Sequence, residues 1–148
     1  MAKFSLLDHV TIPVENVFRM RGEIAPEFAA SEYEKKLNDE AQQFSESLYI
    51  HDLLLLGLGD DGHTASLFPE TEALDEEELS VVANFVPKFS SHRITFTFPL
   101  INSARHVCFL VNDSKKKQII EDILNGNSEY PAARVNPIGG KLTWLLGF

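Results

Sequence analysis

The 148-residue chain reads as an α/β protein with a mostly parallel sheet. Three observations predict it. Leu53-Leu54-Leu55-Leu56 is a continuous apolar run that ends in Gly57-Leu58-Gly59, the pattern of a strand covered on both faces. Strand-like and helix-like segments alternate from there to the C-terminus, and such alternation lays helices against a parallel sheet. Ahead of the run, Tyr33, Leu37, Ala41, Phe44 and Leu48 recur at steps of three or four, which marks one amphipathic helix.

In chain order, residues 6–20 hold Ile12-Pro13-Val14 and Asn16-Val17 and read as an extended connection. Pro26 opens the helix over Phe28–Leu48, where its missing N–H does no harm. After the Leu53–Leu56 strand, a short helix is expected around Thr64–Phe68, stopped by Pro69. The acidic stretch 70–80 reads as a solvated loop or loose turn. Val81–Val86 is a strand candidate, and Arg93–Phe98 alternates Ile94, Phe96 and Phe98 with Thr95 and Thr97 at period two, ending at Pro99. Val107–Val111 is a further buried strand. Ser114 is placed to cap a helix running to Leu124, closed by Asn125-Gly126-Asn127. Ala132–Val135 and Leu142–Leu146, around the Pro137 and Gly139-Gly140 turn, offer a last strand. One domain accounts for the length.

The formal charge of −9 argues against nucleic acid or an anionic membrane as main partner, since both require a basic surface. A small anionic substrate stays compatible, because a few local cations and backbone N–H groups suffice to hold it. The longest apolar run is far too short to span a bilayer, and the opening MAKFSLLDHV lacks the apolar stretch of a secretory signal. A single cysteine, Cys108, inside an apolar run, reads as a core thiol and fits a cytoplasmic protein.

The chemistry-bearing segment is Gly57-Leu58-Gly59-Asp60-Asp61-Gly62-His63-Thr64-Ala65-Ser66-Leu67-Phe68-Pro69. It follows a buried strand, and the carboxyl ends of strands in open α/β sheets are where ligands bind. Its glycines permit sharp turns and close approach. Hydrolysis of an activated cyclic ester needs a base for water, donors for the developing oxyanion, and an acid for the leaving ring oxygen. Neutral His63 can serve as base and then as acid, with Asp61 orienting the ring. No metal, cofactor or covalent intermediate is required. A plain surface turn is the competing reading, because Asp and Gly dominate turns.

This segment closely resembles the signature of the 6-phosphogluconolactonases. Two further blocks are similar to that family: Pro87-Lys88 followed by Arg93-Ile94-Thr95-Phe96-Thr97-Phe98-Pro99-Leu100-Ile101-Asn102-Ser103-Ala104, and Pro131-Ala132-Ala133-Arg134-Val135 followed by Gly140-Lys141-Leu142-Thr143-Trp144. The opening also fits, with Ile12-Pro13, Asn16-Val17 and Ala29-Ala30 before Tyr33-Glu34. The resemblance implies a Rossmann-like three-layer fold with a mostly parallel sheet (NagB/RpiA-like). It implies hydrolysis of 6-phospho-D-glucono-1,5-lactone to 6-phosphogluconate, the second step of the oxidative pentose phosphate pathway. His63 is then the catalytic residue and Asp61 its neighbour, with Gly59, Asp60, Gly62, Lys88 and Arg93 facing the substrate. Lys88 and Arg93 have an alternative as ordinary surface cations. Arg134 and Trp144 read as structural, and His51, His92 and His106 carry no motif.

The chain departs from the family in three places. The family's Gly-Gly-Ser phosphate loop and its Asp-Glu-Arg segment are not found, so residues 1–148 read as a partial domain, incomplete at the N-terminus. Phe89-Ser90-Ser91 replaces prolines after Lys88, and Gly147-Phe148 ends the chain where the family continues. A partial domain is expected to leave a sheet edge and an apolar face open, and so to self-associate or to be completed by an N-terminal segment. Two other functions stay open: a catalytically impaired binding or interaction module, and a deaminase-type isomerase of the glucosamine-6-phosphate branch. Ala65-Ser66-Leu67-Phe68-Pro69 disfavours the latter.

Overall fold

A computed structural model describes residues 2–148. Helices α1 (Ala2–Ser5), α2 (Pro26–Gln43), α3 (Phe98–Ser103) and α4 (Lys117–Leu124) accompany strands β1 (Leu54–Leu56), β2 (Val81–Val86), β3 (Ser91–Phe96), β4 (His106–Val111) and β5 (Lys141–Leu146). The main sheet has the order β1-β4-β5 and is parallel throughout. β2 and β3 form a separate antiparallel hairpin. The mixed α/β class with a parallel sheet therefore stands, with the hairpin as its antiparallel addition.

Strand register sorts the side chains of the parallel sheet by face, since neighbours in register point the same way. Leu54 pairs with Val107 and Leu56 with Phe109. These four and Val111 are buried against Phe98, Ile101, Ala104, Ile120, Ala132 and Val135. Trp144 stacks on Phe109 at 4.0 Å between ring centroids, consistent with its structural reading. The opposite face carries Leu55, Leu110 and Leu145, which are 57%, 47% and 54% exposed. Helices α3 and α4 thus layer one face; the other is largely open, although Cys108 of the central strand, in register with Leu55, is buried there. Strand β1 is also an edge.

Helix α2 packs on the hairpin: Ala30 and Leu37 bury themselves with Val81 and Leu100, and Tyr33, Ile94 and Phe96 close around them. The Glu34 carboxylate accepts from the Val81 N–H at 2.7 Å, tying helix to strand.

Several elements differ from the sequence reading, each for a local reason. Helix α2 stops at Gln43, short of Leu48. Ser45 takes a positive φ of 58°, and the N–H groups of Ser45 and Glu46 bond back to Gln42 and Ala41, a helix-ending motif. Thr64–Phe68 is not helical. Ala65 has φ 49° and the Ser66 N–H is taken by the Thr95 hydroxyl at 3.0 Å, so the segment is drawn onto the hairpin instead of coiling. Pro99 does more than end a strand: β3 finishes at Phe96 and Pro99 stands in the first turn of α3. Residues Pro131–Arg134 form a 3-10 turn, not a strand, while Leu142–Leu146 does lie in β5. Ser114 caps no helix: it opens a 3-10 turn, Ser114–Lys116, capped by the Asp113 side chain accepting from the Lys115 N–H, and this turn runs directly into α4, whose own N-cap, Lys116, makes no side-chain cap bond. Stretch 6–20 holds 3-10 turns at Leu7–His9 and Val14–Asn16, and stretch 70–80 one at Glu72–Asp75.

Candidate active site

The loop after β1 doubles back on itself. The Gly59 N–H donates to the His63 carbonyl at 2.8 Å, and the Gly62 N–H to the Gly59 carbonyl at 3.1 Å. The Thr64 hydroxyl donates to the Gly57 carbonyl at 2.9 Å and closes the base of the loop. Gly62 has φ 74° and lies against Tyr130, so that a Cβ there would meet that ring at 2.4 Å. Both facts require glycine. The Gly62 carbonyl accepts from the Ala132 N–H at 3.0 Å, docking the loop on the 3-10 turn of residues 131–134.

Within this loop His63 and Asp61 meet. The Asp61 carboxylate takes the His63 Nδ1 at 2.5 Å and the His63 backbone N–H at 3.2 Å. Its other oxygen accepts from Lys88 Nζ at 3.0 Å. Partial burial of the Asp61 carboxyl opposes its charge, but the hydrogen bonds from His63 and Lys88 outweigh this and lower its pKa to about 2. An ionised carboxylate can only accept. The Nδ1 of a neutral His63 therefore carries the proton, and Nε2 keeps its lone pair. Nε2 has no partner among the described residues and is not closed off from solvent. The imidazole borders a shallow concavity of about 260 Å3, shared with Leu55, Leu56, Gly57 and Ala65 at the carboxyl end of β1.

The remaining residues singled out by sequence take different places. Gly59 does not face a ligand so much as seat the His63 ring, since a Cβ on it would lie 2.0 Å from His63 Nδ1. Asp60 is largely exposed and paired with Lys116, whose hydrogen bond holds its carboxyl below the usual carboxylate range. Lys88 reaches the site through Asp61. Arg93 stands apart: its guanidinium donates to the Ser91 hydroxyl at 2.8 Å and the His92 carbonyl at 3.0 Å, and lies over Phe89 at 5.4 Å. Phe89 in turn sets its edge on Phe68, which stacks on His63.

Lys116 was not singled out by the sequence reading. Its side chain is only 12% exposed, and its Nζ donates to the Leu58 carbonyl at 3.0 Å besides meeting Asp60. Its signal was present, since Lys115-Lys116-Lys117 follows the carboxyl end of β4, the strand adjacent to β1, and strand ends on one side of a parallel sheet share a ligand site. Two amines, Lys88 and Lys116, consequently flank the imidazole loop. A base with a free lone pair and a locked tautomer can activate water against an ester; the two amines are each paired with an aspartate, Lys88 with Asp61 and Lys116 with Asp60.

Known proteins resemble the chain over most of its length. The chain is 44% identical over 151 residues to a 6-phosphogluconolactonase of Synechocystis, covering 99% of this chain and 61% of that protein. It is 40% identical over 144 residues to human 6-phosphogluconolactonase, covering 95% of this chain and 55% of the human protein. Among solved structures, the Trypanosoma brucei 6-phosphogluconolactonase superposes with a TM-score of 0.81 at 27% identity, covering 98% of this chain and 63% of that one. A monomeric glucosamine-6-phosphate deaminase, at 18% identity and TM-score 0.71, covering 98% of this chain and 63% of that one, shares the fold. The chain thus spans 55% of the human relative and 61% of the cyanobacterial one. The sequence profile of the glucosamine-6-phosphate isomerases/6-phosphogluconolactonase family matches residues 1–144, and the chain belongs to that family.

Proposed function

We propose that this chain carries the imidazole half of a 6-phosphogluconolactonase site and hydrolyses 6-phospho-D-glucono-1,5-lactone to 6-phosphogluconate in the oxidative pentose phosphate pathway. The observation that carries the reading is the His63–Asp61 pair, which fixes the Nδ1 proton and leaves Nε2 open at the mouth of the sheet. Nε2 takes a proton from water as the oxygen attacks the lactone carbonyl. The resulting imidazolium, stabilised by Asp61, returns a proton to the ring oxygen as the C–O bond breaks. The ring opens to the carboxylic acid, which ionises, and the base is regenerated. Lys88 and Lys116, paired here with Asp61 and Asp60, are the amines placed to meet the anionic substrate, and the Gly59–Gly62 turn lets it approach. Arg93, whose guanidinium is engaged with Ser91, the His92 carbonyl and Phe89, is given no part in this reaction.

The decisive measurement is lactone hydrolysis by the full chain and by His63→Ala, each above the spontaneous rate. A rate present in the first and lost in the second is expected; equal rates would remove His63 from the chemistry.

The exposed leucines of the open sheet face and the unpaired β1 edge support a second element of the reading, that further polypeptide completes the sheet, either a complementing segment or a second copy. An exposed leucine gains about 1.5–3 kcal/mol on full burial, so the row Leu55, Leu110 and Leu145 is a strong site for association. Light scattering of the purified chain should report a species heavier than 16.6 kDa. The same face is what an interaction module without catalysis would use, and the His63→Ala comparison separates the two. No helix among the described residues is long and apolar enough to cross a membrane; we infer a cytoplasmic location from the single cysteine and the relatives' chemistry.

A further inference from the structure

The Asp61 hydrogen bond holds one atom of the His63 ring, and Gly59 lies close against the same ring. A ring face is covered by Phe68. Phe68 is 6% exposed and its ring stacks on the imidazole at 3.9 Å between centroids and 27° between planes. Phe68 is itself held from two sides. Phe89 meets it edge-on at 5.6 Å and 77°. Behind it the Thr71 hydroxyl donates to the Phe68 carbonyl at 2.7 Å, and the Asn84 amide donates to Thr71 Oγ1 at 3.0 Å and to the Ser66 carbonyl at 2.8 Å. Asn84 is 2% exposed, in the middle of β2. A buried amide with both bonds made fixes geometry, because breaking either one strands a polar group away from water.

We propose that Phe68 is a positioning residue for the His63 imidazole, a stacking platform that the buried Asn84–Thr71 pair anchors to the β2–β3 hairpin. Its relevance to rate rests on the lactonase reading above; its geometry does not. The aromatic face carries negative potential and attracts a cation laid over it. The ring that Phe68 supports becomes positive when Nε2 takes a proton, so the platform favours the charged intermediate over the resting imidazole. This joins the hairpin, which bears Arg93 next to Phe89, to the histidine loop through two rings.

The test uses the full chain with labelled histidine and phenylalanine rings. In the wild type, the His63 Hε1 and Hδ2 resonances, assigned by their loss in His63→Ala, should lie upfield of the exposed His9 ring and show cross-relaxation to the Phe68 ring. Phe68→Leu should abolish the upfield displacement and lower kcat roughly tenfold with KM little changed, and Phe68→Tyr should restore both. A wild-type His63 ring without the upfield shift and without contact to Phe68 overturns the proposal, and does so even if Phe68→Leu fails to fold. Unchanged His63 resonances in a folded Phe68→Leu overturn it as well. An intact wild-type shift in a chain that hydrolyses no lactone supports the positioning role and refutes the catalytic reading, so the two fail separately.

Discussion

Gly59 and His63 occupy adjoining space with no room for a methyl group: a Cβ on Gly59 would sit 2.0 Å from His63 Nδ1 and 2.1 Å from Cε1. Gly59→Ala is therefore expected to push the ring off Asp61. Lactone hydrolysis should fall toward the His63→Ala level while far-UV circular dichroism stays that of the wild type, because the clash is confined to a surface loop. Wild-type kcat in a folded Gly59→Ala would mean that the imidazole does not rest on this glycine.

Asp61→Asn keeps the size of the side chain and removes the charge that fixes the Nδ1 proton. By analogy of role with other carboxylate-oriented histidines, kcat should drop on the order of 10²–10⁴-fold, with a smaller change in KM. The stability effect has a definite sign. The folded Asp61 carboxyl titrates at about 2, below its ordinary 3.8, so its contribution is complete above pH 3.8 and disappears as pH falls through about 2. Urea unfolding between pH 2 and 5 should show a shallower acid loss in Asp61→Asn than in the wild type.

His51 gives a second pH dependence, away from the site. Its Nδ1 is buried without a hydrogen-bond partner, with Tyr49 edge-on at 4.8 Å and Phe96 at 5.3 Å. Burial pushes its pKa below 6.5, against the pull of Asp52. The fold accepts the neutral ring, so its contribution is full above pH 6.5 and is lost as pH falls through the lowered folded value. His51→Phe should flatten the decline in melting temperature between pH 7 and 5. A parallel decline in both proteins would contradict the burial of this ring.

The two faces of the parallel sheet should answer oppositely to substitution. Leu55→Lys or Leu145→Lys, on the largely open face, is expected to raise solubility and reduce association while leaving the melting temperature of the soluble chain nearly unchanged. Leu56→Ala and Phe109→Ala, on the covered face, should cost about 2–5 kcal/mol each by leaving cavities under α3 and α4. Equal destabilisation on both faces, measured by urea unfolding alongside light scattering, would show that Leu55 and Leu145 are covered by something within this chain.

Much of this was legible in residue order. The apolar run into Gly57 and Gly59 announced a strand opening onto a loop, and Asp61 two residues before His63 is close enough in sequence for a carboxylate to reach the ring's Nδ1. Pattern failed where a distant partner took over a backbone group. Ser66, which lies in a segment with a helical look, has its N–H claimed by Thr95 and its carbonyl by Asn84, partners 29 and 18 residues away. Lys116 was missed for the same reason, because its bond to the Leu58 carbonyl spans 58 residues.

By itself the sequence determined the class of fold, the strand that leads into the site and the His63–Asp61 pair, because these depend on periodicity and on neighbours a few residues apart. Only the tertiary structure decided that Gly59 seats the imidazole, that Phe68 backs it, that Lys116 joins Lys88 beside it, and that one face of the sheet lies open. Lys116 and Lys88 arrive from segments 58 and 27 residues away from their partners, while Gly59 and Phe68 meet His63 only because the loop between them is folded back on itself and anchored to the hairpin, which no periodic pattern records.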